Sequence, residues 1–235
     1  MTASQVFILP LVVTTYSQRE QLSMATPIAP LTATSYAVLG LLGIKPWSSY
    51  ELTQQMERSL GRFWPRAVSK LYEEPKKLVA HGLARAGEET SGRRSRTVYT
   101  ITPKGRRALR GWLAEPGEGP VLEFEQMVKV FFAEQGTTSD LRSTLAAVDD
   151  WAKDRAAESH AVGAQYLQGE GPFPERLPEL VLTSRFLTDF YAFVRDWSQW
   201  ASGVVESWPD DPREARYDEA ELAETLRHAA AAAAP

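Results

Sequence analysis

The sequence predicts a mainly α-helical protein in two parts, a mixed segment of helices with a two-stranded β-hairpin followed by an all-helical half. Three observations lead there. Apolar residues recur at helical spacing through most of the chain; two β-like stretches lie at 83–88 and 96–102; and Glu115-Pro116-Gly117-Glu118-Gly119-Pro120 breaks the periodicity between the halves.

The first helix is expected over 32–43, where Ala37, Val38, Leu41 and Leu42 follow Thr34 and Ser35 as candidate caps. Gly43, Lys45 and Pro46 stop it. Ser48 or Ser49 caps a second helix to about Leu60, with Tyr50, Leu52, Met56 and Leu60 as its apolar stripe. A third opens near Pro65, whose fixed φ suits a first turn, and runs to about Ala80 through Val68, Leu71, Tyr72, Leu78 and Val79. Inside it Pro75 lacks a donor for the Leu71 carbonyl, which predicts a kink or two short helices. The polar loop 89–95 joins the two β-like stretches, and Thr97, Tyr99 and Ile101 alternate onto one face. Pro103 opens a fourth helix that buries Ala108, Leu109, Trp112 and Leu113 and wets Lys104, Arg106, Arg107 and Arg110.

Beyond the break, helices are expected over 121–135, from Thr138 or Ser139 to about Gln168, and from about Pro174 to Trp208. The last carries two apolar series. One is Leu182, Phe186, Phe190, Phe193, Trp197, Trp200 and Val204; the other is Leu180, Leu187, Tyr191, Val194, Ala201 and Val205. Together they exceed what one partner helix covers, so one side should pack within the chain and the other against a second subunit. Leu187, Phe190, Tyr191, Val194, Trp197 and Ala201 are the expected dimer interface. Residues 209–235 form an acidic, Ala-rich tail.

The chain has 235 residues and no cysteine, which excludes disulfides, thiolate zinc sites and cysteine nucleophiles, and its three histidines are far apart. The longest apolar run near the start, Val6–Val13, contains Pro10 and follows no basic stretch; it fits neither a membrane span nor a secretory signal, and a cytoplasmic protein is expected. Met24 would serve equally well as a start, which would make residues 1–23 an upstream extension, and residues 1–30 are read as an N-terminal extension ahead of the first domain. The net charge of −4 conceals a split: residues 31–114 carry 15 basic and 6 acidic side chains, residues 115–235 carry 10 and 23. Such asymmetry points to one half that binds nucleic acid.

The basic residues cluster where this element order would present them together: Arg66, Ser69, Lys70, Lys76 and Lys77 around the third helix, and Arg93, Arg94 and Arg96 around the hairpin loop. A third helix of this kind enters the major groove, and a basic hairpin reaches phosphates or the minor groove; the bland reading is a solvated basic face. Asp150, Asp154 and Glu158 share a helix face but have Lys153 and Arg155 among them and no histidine at ligand spacing, so they read as a solvated acidic surface. No catalytic residue, metal ligand or cofactor motif is identified. His81, beside Gly82, reads as a helix C-terminal cation. The aromatic series could line an effector pocket, as could Trp151, Tyr166 and Phe173, although core or dimer seam is the commoner use.

Ser35-Tyr36-Ala37-Val38-Leu39-Gly40-Leu41-Leu42, Tyr50-Glu51-Leu52, Leu71-Tyr72, Gly82-Leu83-Ala84 and Tyr99-Thr100-Ile101-Thr102-Pro103-Lys104-Gly105 occur in an order that resembles the winged-helix domain of PadR-type transcriptional regulators. The long helical half is similar to the larger PadR subgroup, whose C-terminal domain resembles that of the virulence activator AphA. The resemblance implies a winged helix-turn-helix DNA-binding domain over 31–115 and an all-helical dimerisation domain over 120–208. It also implies a homodimer on double-stranded DNA that represses nearby genes, in some members released by a small effector such as a phenolic compound. By motif, Ser69, Lys70 and Tyr72 fall at the DNA-facing surface of the recognition helix, and Arg93, Arg94 and Arg96 in the wing. Ser49 stands where many members have Gly, and Pro75 interrupts the recognition helix. The rival readings are a winged-helix protein-interaction module and an unrecognised enzyme.

Overall fold

The computed structural model describes residues 29–91, 94–216 and 218–234. The expected 1–30 extension lies outside them apart from Ala29 and Pro30, and so does Arg93. The chain divides into two compact units, which part after Gly119.

The first unit begins with α1, Ala33–Ile44, capped by Thr32, two residues ahead of the first expected cap, Thr34. Thr32 and Ser35 exchange side-chain and backbone bonds as a reciprocal N-terminal box. After it comes β1, Trp47–Ser48, then α2, Ser49–Arg58, and α3, Val68–Ala80. The hairpin follows as β2, Ala84–Ser91, and β3, Arg94–Ile101, and α4, Pro103–Ala114, closes the unit. The core joins Val38, Leu39 and Leu42 of α1 with Leu52 and Met56 of α2 and Leu71 and Leu78 of α3, all essentially inaccessible. Burying each such side chain is worth about 1.5–3 kcal/mol.

Four features depart from the sequence reading, the first being that Tyr50 of α2 and Trp112 and Leu113 of α4, expected on buried faces, are exposed. β1 pairs antiparallel with β3, Trp47 opposite Tyr99 and Ser48 opposite Val98, so the two-stranded hairpin is the larger part of a three-stranded antiparallel sheet ordered β1-β3-β2. A two-residue strand has no periodicity to betray it. The hairpin ladder runs on through Glu89 opposite Arg96 to Ser91 opposite Arg94, where a loop was expected, because backbone pairing needs no apolar alternation. Finally, of the two outcomes expected at Pro75, the split into two short helices does not occur: α3 is one helix with Pro75 inside it. The fully buried Pro75 ring offsets the bond that the Leu71 carbonyl forgoes.

The second unit is all α: α5, Glu125–Phe131, shorter than expected; α6, Thr138–Leu167; α7, Leu177–Val205; and α8, Glu219–Ala232. Thr137 rather than Thr138 caps α6, sharing bonds with Asp140. The buried residues Leu141, Leu145, Val148 and Ala152 of α6 recur at three and four residues, and so do Leu187, Tyr191, Val194, Ser198, Ala201 and Val205 of α7. Two such seams pack as an antiparallel pair, Leu141 and Leu145 against Ala201 and Val205, Val148 and Ala152 against Val194. Arg142 donates to the Val205 and Glu206 carbonyls, satisfying acceptors at the α7 C-terminus. No helix among the described residues is long and apolar enough to cross a membrane.

Candidate nucleic-acid interface

Helix α3 turns Leu71, Glu74, Pro75 and Leu78 inward, so by helical geometry Ser69, Lys70, Tyr72, Glu73 and Lys76 stand outward, and all five are exposed. Its first residue follows Ala67, which offers no side-chain cap, so the leading amides stay open to an external acceptor. Lys70 sits 3.6 Å from Glu73 with both side chains well exposed, a pairing worth at most about 1 kcal/mol that leaves the ammonium available.

Arg66 flanks the start of this helix. Its guanidinium lies 4.2 Å from the centre of the Trp64 ring, its Nε donates to Thr34 Oγ1 at 3.2 Å, and one terminal nitrogen donates to the Pro65 carbonyl at 2.6 Å. Trp64 Nε1 donates to the same Thr34 hydroxyl, so the segment ahead of α3 is stapled to α1. Lys77 differs from the outward residues. Largely buried, it pairs with Glu74 at 2.8 Å and donates to the Pro30 carbonyl at 3.3 Å, so its charge is spent inside the domain and not on the outward face where the sequence put it.

The wing tells a similar story. Only the backbone of Arg94 is described, and Arg96, expected as a wing cation, is engaged on both sides: Nη1 with Glu51 at 3.2 Å and Nη2 with Glu89 at 3.1 Å. Glu51, three residues after the α2 cap Ser48, also accepts the Ser48 backbone N–H and hydroxyl, each at 2.8 Å. These Ser48 bonds, backbone first, hold the Glu51 carboxyl below its ordinary range, with Arg96 adding to them. Glu89 and then Glu51 raise Arg96 in return. The Ser-x-x-Glu spacing of a reciprocal cap was visible in the sequence, but the carboxylate's reach to the wing was not.

Two more cations close helix ends. Lys104 Nζ donates to the His81 carbonyl at the end of α3, and Arg106 donates to the Gly43 carbonyl near the end of α1. The His81 ring meets the Ala29 carbonyl at 2.8 Å, tying the lead-in to α3. On the exposed side of α2 a ladder unread in the sequence links Arg58 to Gln54 and Gln54 to the Tyr50 hydroxyl.

On α7 the two apolar series separate. Leu187, Tyr191, Val194 and Ala201, expected at a dimer interface, are buried within the chain's own second unit; Phe190 and Trp197 are half-buried beside them. The correction is physical: Leu187, Tyr191, Val194 and Ala201 are already desolvated within the protomer, Val194 and Ala201 by packing on α6, and leave little surface for a second subunit. Leu182, Phe186, Phe193 and Trp200 remain exposed. Asp150, Asp154 and Glu158 lie along α6, where Glu158 pairs with Arg155, and no acidic or histidine cluster suited to a metal occurs among the described residues.

Residues 38–111 match the transcriptional regulator PadR-like family. The negative transcriptional regulator PadR of Bacillus subtilis is 33% identical over 99 residues, 41% of this chain; the chain spans about half of that relative's length, 54%. The structure of the same B. subtilis protein in complex with operator DNA superposes with a TM-score of 0.65 at 21% identity, covering 74% of this chain and 99% of that one. Its complex with p-coumaric acid gives 0.59 at 21% identity, covering 75% and 100%. The Vibrio cholerae virulence activator AphA gives 0.50 at 24%, covering 74% and 96%, which extends the likeness of fold beyond the matched segment. Residues 38–111 are thus a winged-helix domain of the PadR-like transcriptional regulator family.

Proposed function

We propose that this chain is a sequence-specific DNA-binding transcriptional regulator that acts as a homodimer, with α3 in the major groove and the β2–β3 wing beside it. The observation that carries this reading is the outward face of α3, where Ser69, Lys70, Tyr72 and Lys76 stand exposed on a helix braced by a buried stripe. Side chains early in α3 supply base choice; Arg66, Lys76 and the sequence neighbours Arg93 and Arg94 supply phosphate neutralisation, which makes affinity fall with salt. Lys77, largely buried, and Arg96, half-exposed, are engaged in ion pairs within the domain.

The dimer uses the α7 series that the chain leaves uncovered, Leu182, Phe186, Phe193 and Trp200, with the half-buried Phe190 and Trp197 at its margin. Two-fold symmetry then calls for a pseudo-palindromic operator with half-sites about 34–36 Å apart or a multiple of it. Repression of nearby genes and release by a small aromatic acid are supported by the negative role and the p-coumaric acid complex of the B. subtilis protein.

The test is binding to a labelled duplex from the region upstream of the chain's own gene, across a salt series with excess unlabelled random DNA. Tight, competitor-resistant binding that weakens steeply with salt supports the regulator, and replacing Arg93 and Arg94 with Ala should weaken binding to every sequence while flattening the salt slope. Equal competition by random DNA would shift the reading to an interaction module.

A further inference from the structure

Arg96 is not a free wing cation. Its guanidinium is forked between carboxylates of two elements, Glu89 directly across the hairpin on β2 and Glu51 in the first turn of α2. Glu51 uses its other oxygen to hold the backbone N–H and hydroxyl of Ser48, and Ser48 is the β1 residue paired with Val98, two positions from Arg96 on β3. The contacts form a ring: β3 to β1 by backbone, Ser48 to Glu51 by the cap, Glu51 to Arg96 by charge, and Arg96 back to β3. A ring of this kind fixes an angle, because no member can swing without breaking a bond at another.

We infer that the Glu51–Arg96–Glu89 clamp sets the angle of the wing stem against the start of α2, and that Arg96 is a positioning residue rather than a phosphate ligand. Its consequence for DNA rests on the regulator reading above. A phosphate reaching Arg96 would displace two charge-assisted bonds and strand two carboxylates beside a polyanion. Lysine, a point charge without the planar fork, could not span both carboxylates as arginine does.

The sign of one effect, and whether it needs Arg96, separates the two roles. Glu51→Gln keeps a residue suited to the cap and removes a negative charge near the DNA-facing surface. If Arg96 bound phosphate, freeing it in this way would tighten DNA binding. If Arg96 positions the wing, the same substitution weakens binding.

The experiment compares wild type, Glu51→Gln, Arg96→Gln, Arg96→Lys and the Glu51→Gln/Arg96→Gln double variant. Amide hydrogen exchange is followed over 84–91 and 94–101, together with affinity for the upstream duplex and for a random duplex across a salt series. Each single Gln variant should speed wing exchange about two- to fivefold, the span of an exposed ion pair's coupling. The double variant should add nothing further, and Arg96→Lys should restore only part of the protection. Glu51→Gln should weaken DNA binding, with the salt slope of Arg96→Gln unchanged. Tighter binding by Glu51→Gln that disappears in the double variant, or a slope reduced by about 0.9 in Arg96→Gln, would make Arg96 a phosphate ligand and overturn the clamp. Exchange that responds as expected in a wild type that binds neither duplex would keep the clamp and remove the regulator reading.

Discussion

Phe193 and Val194 are neighbours in sequence and opposites in environment, which makes them the sharpest probe of α7. Val194 is 3% exposed and packs on Val148 and Ala152, themselves at 0%, whereas Phe193 is 65% exposed. Val194→Glu forfeits about 1.5–3 kcal/mol of burial. It also buries a carboxyl group with no partner, which adds several kcal/mol even after the group protonates. Together these reach about 4–8 kcal/mol, comparable with the whole stability of an ordinary domain. Phe193→Glu removes no contact of that kind and should stay within about 0.5 kcal/mol for the isolated protomer. In a dimer seam, however, it would set two like charges against each other across the two-fold axis.

Far-ultraviolet circular dichroism on heating and sedimentation velocity over a dilution series read the two outcomes. Val194→Glu should lose the helical signal of the second unit or melt far below wild type at every concentration. Phe193→Glu should keep its helicity and, if the proposed seam forms the dimer, sediment as a monomer. A Val194→Glu protein that melts normally would refute the packing of α7 on α6, and a Phe193→Glu protein that sediments like wild type would remove the aromatic series from the seam.

Gly105 carries a different constraint: a Cβ there would lie 2.1 Å from the Leu83 carbonyl oxygen and 2.9 Å from Ile101 Cγ1. Gly105→Ala should therefore push α4 off the sheet at a cost of about 3 kcal/mol, read as a lower melting temperature of the first unit; an unchanged melt would mean the backbone yields at no cost. Glu51 supplies a pH signature. Its folded carboxyl is held below the ordinary 4.5, chiefly by Ser48, so its contribution is complete above that value and is lost as pH falls through the lowered one. Ser48→Ala should flatten this acid-side loss in urea unfolding followed downward from pH 7, whereas curves parallel to wild type would dissociate Glu51 from acid stability.

The helices of the first unit were legible because each joins a periodic stripe to a recognisable stop, as Leu71 and Leu78 do ahead of Gly82. What escaped was pairing across sequence. Nothing local in Trp47-Ser48 announces a strand; its partner, β3, lies about fifty residues on. The capping spacing of Ser48 and Glu51 could be read, yet the bond from Glu51 to Arg96 exists only once β3 is folded beside α2. On α7 the composition named two apolar faces but could not say which one α6 would take. Leu187, Tyr191, Val194 and Ala201 were assigned to the wrong partner for that reason. Among the proposed interface residues the same limit applies to Lys77, whose buried bond to Glu74 no count of charges reveals.

Charge counting deserves the same correction. A chain of net charge −4 can still bind a polyanion, because screening at physiological salt confines attraction to charges within about 8 Å of the phosphates, and the chain total does not enter. The excess of basic residues over 31–114 is likewise not a tally of phosphate contacts. Lys104 and Arg106 satisfy helix-end carbonyls, Lys77 neutralises Glu74, and Arg96 bridges two carboxylates. Each of these cations is engaged within the domain and, under the proposed DNA-binding reading, contributes less to phosphate neutralisation than its charge suggests. The rest of the basic set, Lys70 and Lys76 on α3 among it, is what remains to generate salt dependence. The division has a physical reason if α3 enters a groove as proposed: such a helix needs its ends and its neighbouring wing held. The charges that hold them are drawn from the same basic surface that the sequence offered to DNA.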